Sequence, residues 1–246
     1  MSEVFAGINY LVKGIEALHQ ATIRPFIIIP LIINIIISIF LYLIIYYYTQ
    51  QVNQWLIQHL PYGLKWLHFL LIPIVSLIFI VVNSYGFVMV GNIIAAPFNA
   101  VLAERVIQQQ LPQRTLQQQS FWQHVGGFLK SILRQIKILS YYAGWCLGIL
   151  CLFLIPFIQL LAPMLWIMFS AWFLMLTYLD YASETFNVSW LELRRFAAKK
   201  RWLCWSFGLA SLFLATLPIV NLIVIPASVI GATLLWLENY DGEAHA

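Results

Sequence analysis

Apolar residues in this chain come in long unbroken runs, not in alternation with polar ones. Residues 26–48 form the first, about 34 Å long as a helix and sufficient to cross a hydrocarbon core of about 30 Å. Residues 69–98 form the second, about 45 Å long, which must tilt or project beyond a bilayer. Continuity, in place of a two-residue period, predicts helices and not barrel strands. Ahead of them, Val4, Ile8, Leu11, Val12, Ile15 and Leu18 recur at helical spacing, with Lys13, Glu16 and Gln20 elsewhere around the turn. Residues 1–25 therefore read as an amphipathic segment lying in the membrane surface. Residues 120–137 read as a second such helix, with Phe121, Val125, Phe128, Leu129, Ile132 and Ile136 on one side and Ser120 with Gln123 as a capping box.

The stretch Ile94–Asn99 and its continuation to Glu104 divides the chain. Here an apolar helix meets Pro97 and Asn99, then the first acidic residue since Glu16, so the chain is expected to leave lipid. Beyond a polar segment at 100–140 lie two shorter apolar pairs, 141–179 and 203–237. Leu154-Ile-Pro-Phe-Ile-Gln-Leu160 in the first is echoed by Thr216-Leu-Pro-Ile-Val-Asn-Leu222 in the second, which predicts two copies of one helical hairpin. The arms 141–155 and 164–178 are each about 22 Å as helix, short of a full span. Hairpins that dip part-way into the membrane fit this best; tight full hairpins in a thinned bilayer are the alternative.

Composition fixes the class. Of 246 residues, 62% are hydrophobic and 9% charged, against about a quarter charged in soluble domains. The expected fold is an all-α integral membrane protein, a single membrane domain over 1–246, with two long spanning helices, two proline-broken hairpins and amphipathic surface helices. Charge orients it. Arg105, Arg114, Lys130, Arg134 and Lys137 precede the first hairpin, and Arg194, Arg195, Lys199, Lys200 and Arg201 follow it. The positive-inside tendency places both clusters and the N-terminus in the cytoplasm, so the first hairpin enters and returns on one side. The loop between the two long runs carries Lys65 alone among lysines and arginines, within a belt of Tyr46, Tyr47, Tyr48, Trp55, Tyr62 and Trp66, and belongs outside. Residues 1–13 include Glu3 and no basic n-region, so the first apolar run is expected to be retained in an inner or plasma membrane. Cys146, Cys151 and Cys204 sit within apolar runs as packing residues. Five scattered histidines and the lack of an H-E-x-x-H, G-x-S-x-G or P-loop pattern argue against an enzyme, a metal site or a cofactor. No nucleic-acid partner is expected.

Four segments carry a resemblance. Ala95-Ala-Pro-Phe-Asn-Ala-Val-Leu-Ala-Glu104, Pro30-Leu-Ile-Ile-Asn34, Phe169-Ser-Ala-Trp172 through Asp180-Tyr181, and Pro218-Ile-Val-Asn-Leu222 resemble the bacterial sulfate permease family CysZ. The resemblance covers nearly the whole chain. It implies an inner-membrane sulfate uptake protein serving cysteine synthesis, built from two spanning helices and partly penetrating hairpins, and assembled as a homo-oligomer. The family's sulfate-binding motif reads Gly-Leu/Ile-Arg, often with a second Arg. The matching positions here are Thr22, Ile23, Arg24 and Pro25, which keep the central arginine and lack the glycine and the second arginine.

The chemistry suits such a substrate. Sulfate accepts hydrogen bonds only, so a site needs Arg or Lys, backbone N–H groups at helix N-termini, and neutral donors. Arg24 stands where the chain enters the first span; its plain alternative is a snorkelling topology anchor. Asn34, Asn92, Asn99, Gln159 and Asn221 are candidates to line a path, and each alone reads equally as interhelical glue. Three of them follow a proline, where a half-helix can begin and offer its positive end. Glu104 reads as structural, paired with Arg105, Arg24 or a neighbouring subunit, because a carboxylate repels sulfate. Gly144 and Gly148 form a G-x-x-x-G pair suited to close contact within the hairpin or between subunits. Residues 26–48, 69–98, 141–179 and 203–237 contain no Asp, Glu, His, Lys or Arg, so no proton relay is available and transport is expected to be passive. Permeation of another oxyanion, or a membrane interaction role without transport, are the competing readings.

Overall fold

In lipid every backbone polar group must find a partner within the chain, and an α-helix supplies them all. The computed structural model describes residues 3–112, 121–155 and 157–240, and every regular element among them is helical. The helices are α1 (Glu3–Ala17), α2 (Arg24–His59), α3 (His68–Gln110), α4 (Phe121–Leu152), α5 (Ala162–Thr185), α6 (Trp190–Lys199), α7 (Arg201–Ala215) and α8 (Pro218–Asn239). Among the described residues four stretches are long and apolar enough to cross a membrane: Arg24–His59, Tyr62–Asn83, Leu133–Leu152 and Ala162–Thr185.

The chain forms two compact units, residues 25–98 and residues 1–24 with 99–246. In the first, α2 continues well past residue 48 to His59, whose ring stacks on Trp55 at 4.8 Å. A 3-10 turn at Tyr62–Leu67 then leads into α3. The isoleucines and aromatics of α2 face outward: Ile36 is 59% exposed and Phe40 62%. Such exposure is costly in water and costs little in hydrocarbon. Polar side chains here turn inward on their own helix, Ser76 Oγ donating to the Ile72 carbonyl at 2.7 Å and Asn83 Nδ2 to the Phe79 carbonyl at 2.8 Å.

Three expectations change. First, α3 does not end at Pro97 but runs through it to Gln110. A proline removes one N–H and crowds one turn, and an apolar helix with no water to compete for its other bonds absorbs that loss. The division into units still falls between Phe98 and Asn99, inside the stretch singled out in the sequence. Second, the residues read as a surface helix and as the first hairpin arm belong to one 32-residue helix, α4; Ser120 lies outside the described residues. With α5 at 24 residues, the first hairpin has arms longer than the apolar runs alone predict.

Third, α1 is seated on protein. It packs against α7 and α8, while α5 packs against α4, α6, α7 and α8. Its buried face is Gly7, Tyr10, Leu11 and Gly14, and Ile8 and Val12 of the predicted apolar face point outward. The cause is close backbone approach. A Cβ on Gly14 would lie 2.1 Å from the Ala227 carbonyl oxygen, one on Gly7 2.3 Å from that of Leu203, and one on Gly231 2.5 Å from that of Tyr10. Between apolar helices in lipid no hydrophobic force favours association, so small residues that let backbones touch supply the attraction. Gly144 and Gly148 differ: a Cβ on either meets nothing within 4 Å, so they bring no helices together within the hairpin.

These contacts set a contrast. Gly14→Ala forces a methyl onto a backbone oxygen and should lower stability by about 1 to 3 kcal/mol, whereas Gly144→Ala should stay within about 0.5 kcal/mol of the parent. Thermal unfolding of both variants in one detergent checks this. Equal melting temperatures would remove α1 from the packed core.

Candidate functional site

The Thr22-Ile23-Arg24 segment joins α1 to α2, and local bonds fix its shape. The N–H groups of Leu18, His19 and Gln20 bond to the carbonyls of Ile15, Glu16 and Ala17, which tightens the end of α1. The N–H groups of Ile23 and Arg24 then both bond to the Gln20 carbonyl, at 3.0 and 3.2 Å. Those two amides are committed to the turn itself and offer no free N–H to a ligand. Ile23 is 1% exposed and pins the turn. Thr22 Oγ1 accepts a bond from Gln109 Nε2 at 2.8 Å, on the far end of α3, and keeps its own O–H to donate. Arg24 is exposed as the first residue of α2.

The start of this segment is held from behind. Tyr10 Oη donates to Glu238 Oε2 at 2.6 Å, Lys13 Nζ to Glu238 Oε1 at 3.0 Å, and Asn239 Nδ2 to Tyr10 Oη at 2.9 Å. Burial, then the bond to Glu238, pushes the Tyr10 hydroxyl up to about 12. Helix α1 therefore carries the 22–24 turn on a base tied to α8.

The remaining candidates divide between the two units. Asn34 and Asn92 belong to residues 25–98, and their side chains lie outside those described. Asn99 is half-buried in the other unit and is hydrogen-bonded to the Tyr181 hydroxyl, and no half-helix starts beside it because α3 is continuous. Gln159 is exposed in the 3-10 turn Ile158–Leu160 that links α4 to α5. Asn221 lies in the first turn of α8, which does begin at Pro218, and its N–H bonds to the Leu217 carbonyl at 2.8 Å. Glu104 and Arg105 are adjacent and exposed. Partial burial raises the Glu104 carboxyl above its usual range, and the Arg105 charge draws it back by less.

One cluster escaped the sequence reading. Arg134 of α4 donates through Nε and Nη2 to Asp180 Oδ1 of α5, at 3.0 and 2.5 Å, through Nη2 to Ser183 Oγ at 2.7 Å, and through Nη1 to the Val188 carbonyl at 2.6 Å. The two charged side chains are 12% and 8% exposed. Arg134 was read as one of five topology-setting cations. The missed signal was Asp180, the first acid after Glu104, standing at the end of an apolar run. A buried charge needs a partner, and the basic residues before that run were the available ones.

Residues 10–226 match the family described as "Sulfate transporter CysZ/Etoposide-induced protein 2.4". The chain belongs to this family. Among its relatives, the sulfate transporter CysZ of Pseudomonas aeruginosa is 32% identical over 241 residues, covering 97% of this chain and 96% of that one. The sulfate transporter CysZ of Vibrio cholerae is 32% identical over 239 residues, covering 96% and 94%. That of Pectobacterium atrosepticum is 34% identical over 240 residues, covering 96% and 86%. The family match takes in α1 from Tyr10 onward, the 22–24 turn, the whole of residues 25–98 and the Arg134–Asp180 pair.

Two outcomes follow from these networks. Arg134→Ala strands a buried carboxylate and should cost about 3 to 5 kcal/mol, while the double change Arg134→Met with Asp180→Leu should recover most of it; thermal unfolding in detergent distinguishes them. Tyr10 is ordinarily deprotonated near 10.0 and holds its proton to about 12 in the fold. Between those values the unfolded chain releases a proton that the folded chain keeps, so stability falls as pH rises through the window. Tyr10→Phe should abolish that part of the slope in a melting series from pH 9 to about 12.

Proposed function

We propose that this protein carries sulfate inward across the bacterial inner membrane, supplying cysteine synthesis, as a passive channel-like permease and a homo-oligomer. The single observation that carries this reading is likeness over nearly the full length to proteins named sulfate transporter CysZ. In this reading the chain acts as one membrane domain with its N-terminus in the cytoplasm, and its first hairpin, whose arms are each long enough to cross, enters and returns on one side.

Arg24 is the sulfate ligand, Thr22 adds a hydroxyl donor, and Ile23 anchors the turn that holds them. A guanidinium offers planar paired donors that match two sulfate oxygens. The exposure of Arg24 supports the role, since the side chain can meet an ion arriving from water. Asn34, Asn92, Asn99, Gln159 and Asn221 contribute neutral donors along the way, and Glu104 with Arg105 is architectural.

Passivity rests on residues 26–48, 69–98, 141–179 and 203–237 holding no Asp, Glu, His, Lys or Arg to relay a proton. A dianion entering against an inside-negative potential of about 100 mV is opposed by roughly 4.6 kcal/mol, so flux equilibrates roughly three decades below the outside concentration. Uptake then depends on enzymes that consume sulfate as it arrives.

Arg24→Ala should weaken sulfate binding by about 1.5 to 3 kcal/mol with the oligomer intact, and Arg24→Lys should restore only part of it. Labelled-sulfate titration of purified protein, with phosphate and chloride as competitors, measures this and separates sulfate from other oxyanions. In liposomes with clamped voltage, labelled sulfate should follow its own gradient and the potential only. Accumulation beyond that equilibrium under an imposed pH or sodium gradient would exclude passive transport.

A further inference from the structure

A cavity of about 310 Å³ opens between α6 and the end of α8, lined by Glu192, Arg195, Phe196, Lys199, Lys200, Asn239 and Tyr240. Residues 192, 195, 196 and 199 are spaced to form one face of α6. The five basic residues of this region divide by what they touch. Arg194 lies over the Tyr141 ring at 4.2 Å and Arg201 over the Trp202 ring at 5.5 Å, so these two are engaged with aromatic faces. Arg195, Lys199 and Lys200 line the cavity instead, and among the described residues no carboxylate lies within ion-pair distance of any of them.

The polar groups around them leave no strong competitor. Among the described residues Glu192 is the one carboxylate in the wall; its Oε2 accepts bonds from the Ser189 N–H and Oγ as the cap of α6, and the Arg195 charge acts on it more weakly than these bonds. Asn239 spends both amide hydrogens on Tyr10 Oη and the Leu235 carbonyl. Phe196 and Tyr240 close the apolar side, their rings 5.9 Å apart and both packed on Trp236. Two helix C-terminal ends, of α6 and α8, add about half a negative charge each. Three cations against one carboxylate and these partial charges leave the cavity positive by about one unit.

We propose that this cavity is a binding site for a tetrahedral oxyanion, a sulfate or phosphate group, separate from the Thr22–Arg24 segment. Arg195 supplies a planar paired donor, and Lys199 and Lys200 supply two mobile ammonium groups from the helix end where the chain turns into α7. Such a group reaches the site either as a free ion or as the headgroup of an anionic lipid, because basic pockets beside membrane helices take lipid phosphates by the same chemistry. The proposal does not rest on sulfate transport: it follows from the charge of the cavity.

The test uses full-length protein carrying Arg24→Ala, so that binding at the 22–24 segment does not contribute. One arm measures labelled sulfate, with inorganic phosphate as competitor, on protein in neutral detergent. The other measures retention of cardiolipin against phosphatidylcholine by native mass spectrometry. Lys199→Ala with Lys200→Ala should reduce the retained anion at least about tenfold, and Arg194→Ala, whose side chain is held on Tyr141, should leave it within about twofold. Loss of labelled sulfate in the lysine variant identifies a free-ion site; loss of cardiolipin alone identifies a headgroup site. If neither probe binds the Arg24→Ala protein, or if the lysine variant binds both as the parent does, the cavity is not an oxyanion site. A failure of sulfate to bind at Arg24 would appear as equal titrations of the wild-type and Arg24→Ala proteins and would leave this comparison intact.

Discussion

Everything in the larger unit depends on how closely the backbone of α1 approaches α7 and α8. In an apolar environment side chains gain nothing by hiding from the solvent, and contact must come from shape. Gly7, Gly14 and Gly231 remove the atoms that would hold the helices apart, leaving carbonyl oxygens where a Cβ would otherwise stand. Once that contact is made, Tyr10, Lys13, Glu238 and Asn239 are brought into one hydrogen-bonded group at the end of α8. The polar network follows from the packing, because none of these bonds reaches across a wider gap.

The same contact positions the chemistry. Helix α1 ends in a turn whose amides are spent on the Gln20 carbonyl, with Ile23 buried beneath it. Arg24 is thus presented from a braced support. Arg134 performs a comparable service for α4, gathering Asp180, Ser183 and the Val188 carbonyl around one guanidinium. Both devices put a charged or polar lock just beyond an apolar stretch, where desolvation is less severe than at the middle of a bilayer.

The helical class and the long spans were legible because an unbroken apolar run has one stable form in lipid. The choice of the Thr22-Ile23-Arg24 segment rests on likeness alone; nothing in its spacing marks it. Three features resisted reading for identifiable reasons. Gly7 and Gly14 carry no hydrophobic signal, so the helical spacing of apolar residues in α1 points to Ile8 and Val12, which face outward. Pro97 read as a terminator by local rules, and the tertiary setting of α3 overrode them. Arg134 was counted with its neighbours as a topology charge, since its partner Asp180 lies 46 residues away and only folding brings them together.

The docking of α1 also governs the order in which the protein is assembled. Tyr10 and Glu238 are 228 residues apart, and at a synthesis rate of about 5 to 20 residues per second α8 emerges roughly 10 to 45 s after α1. During that interval the glycine face of α1 has no seat. Helix α1 finds its place long after it is made, and the turn that carries Arg24 takes its final support only once α8 has been made.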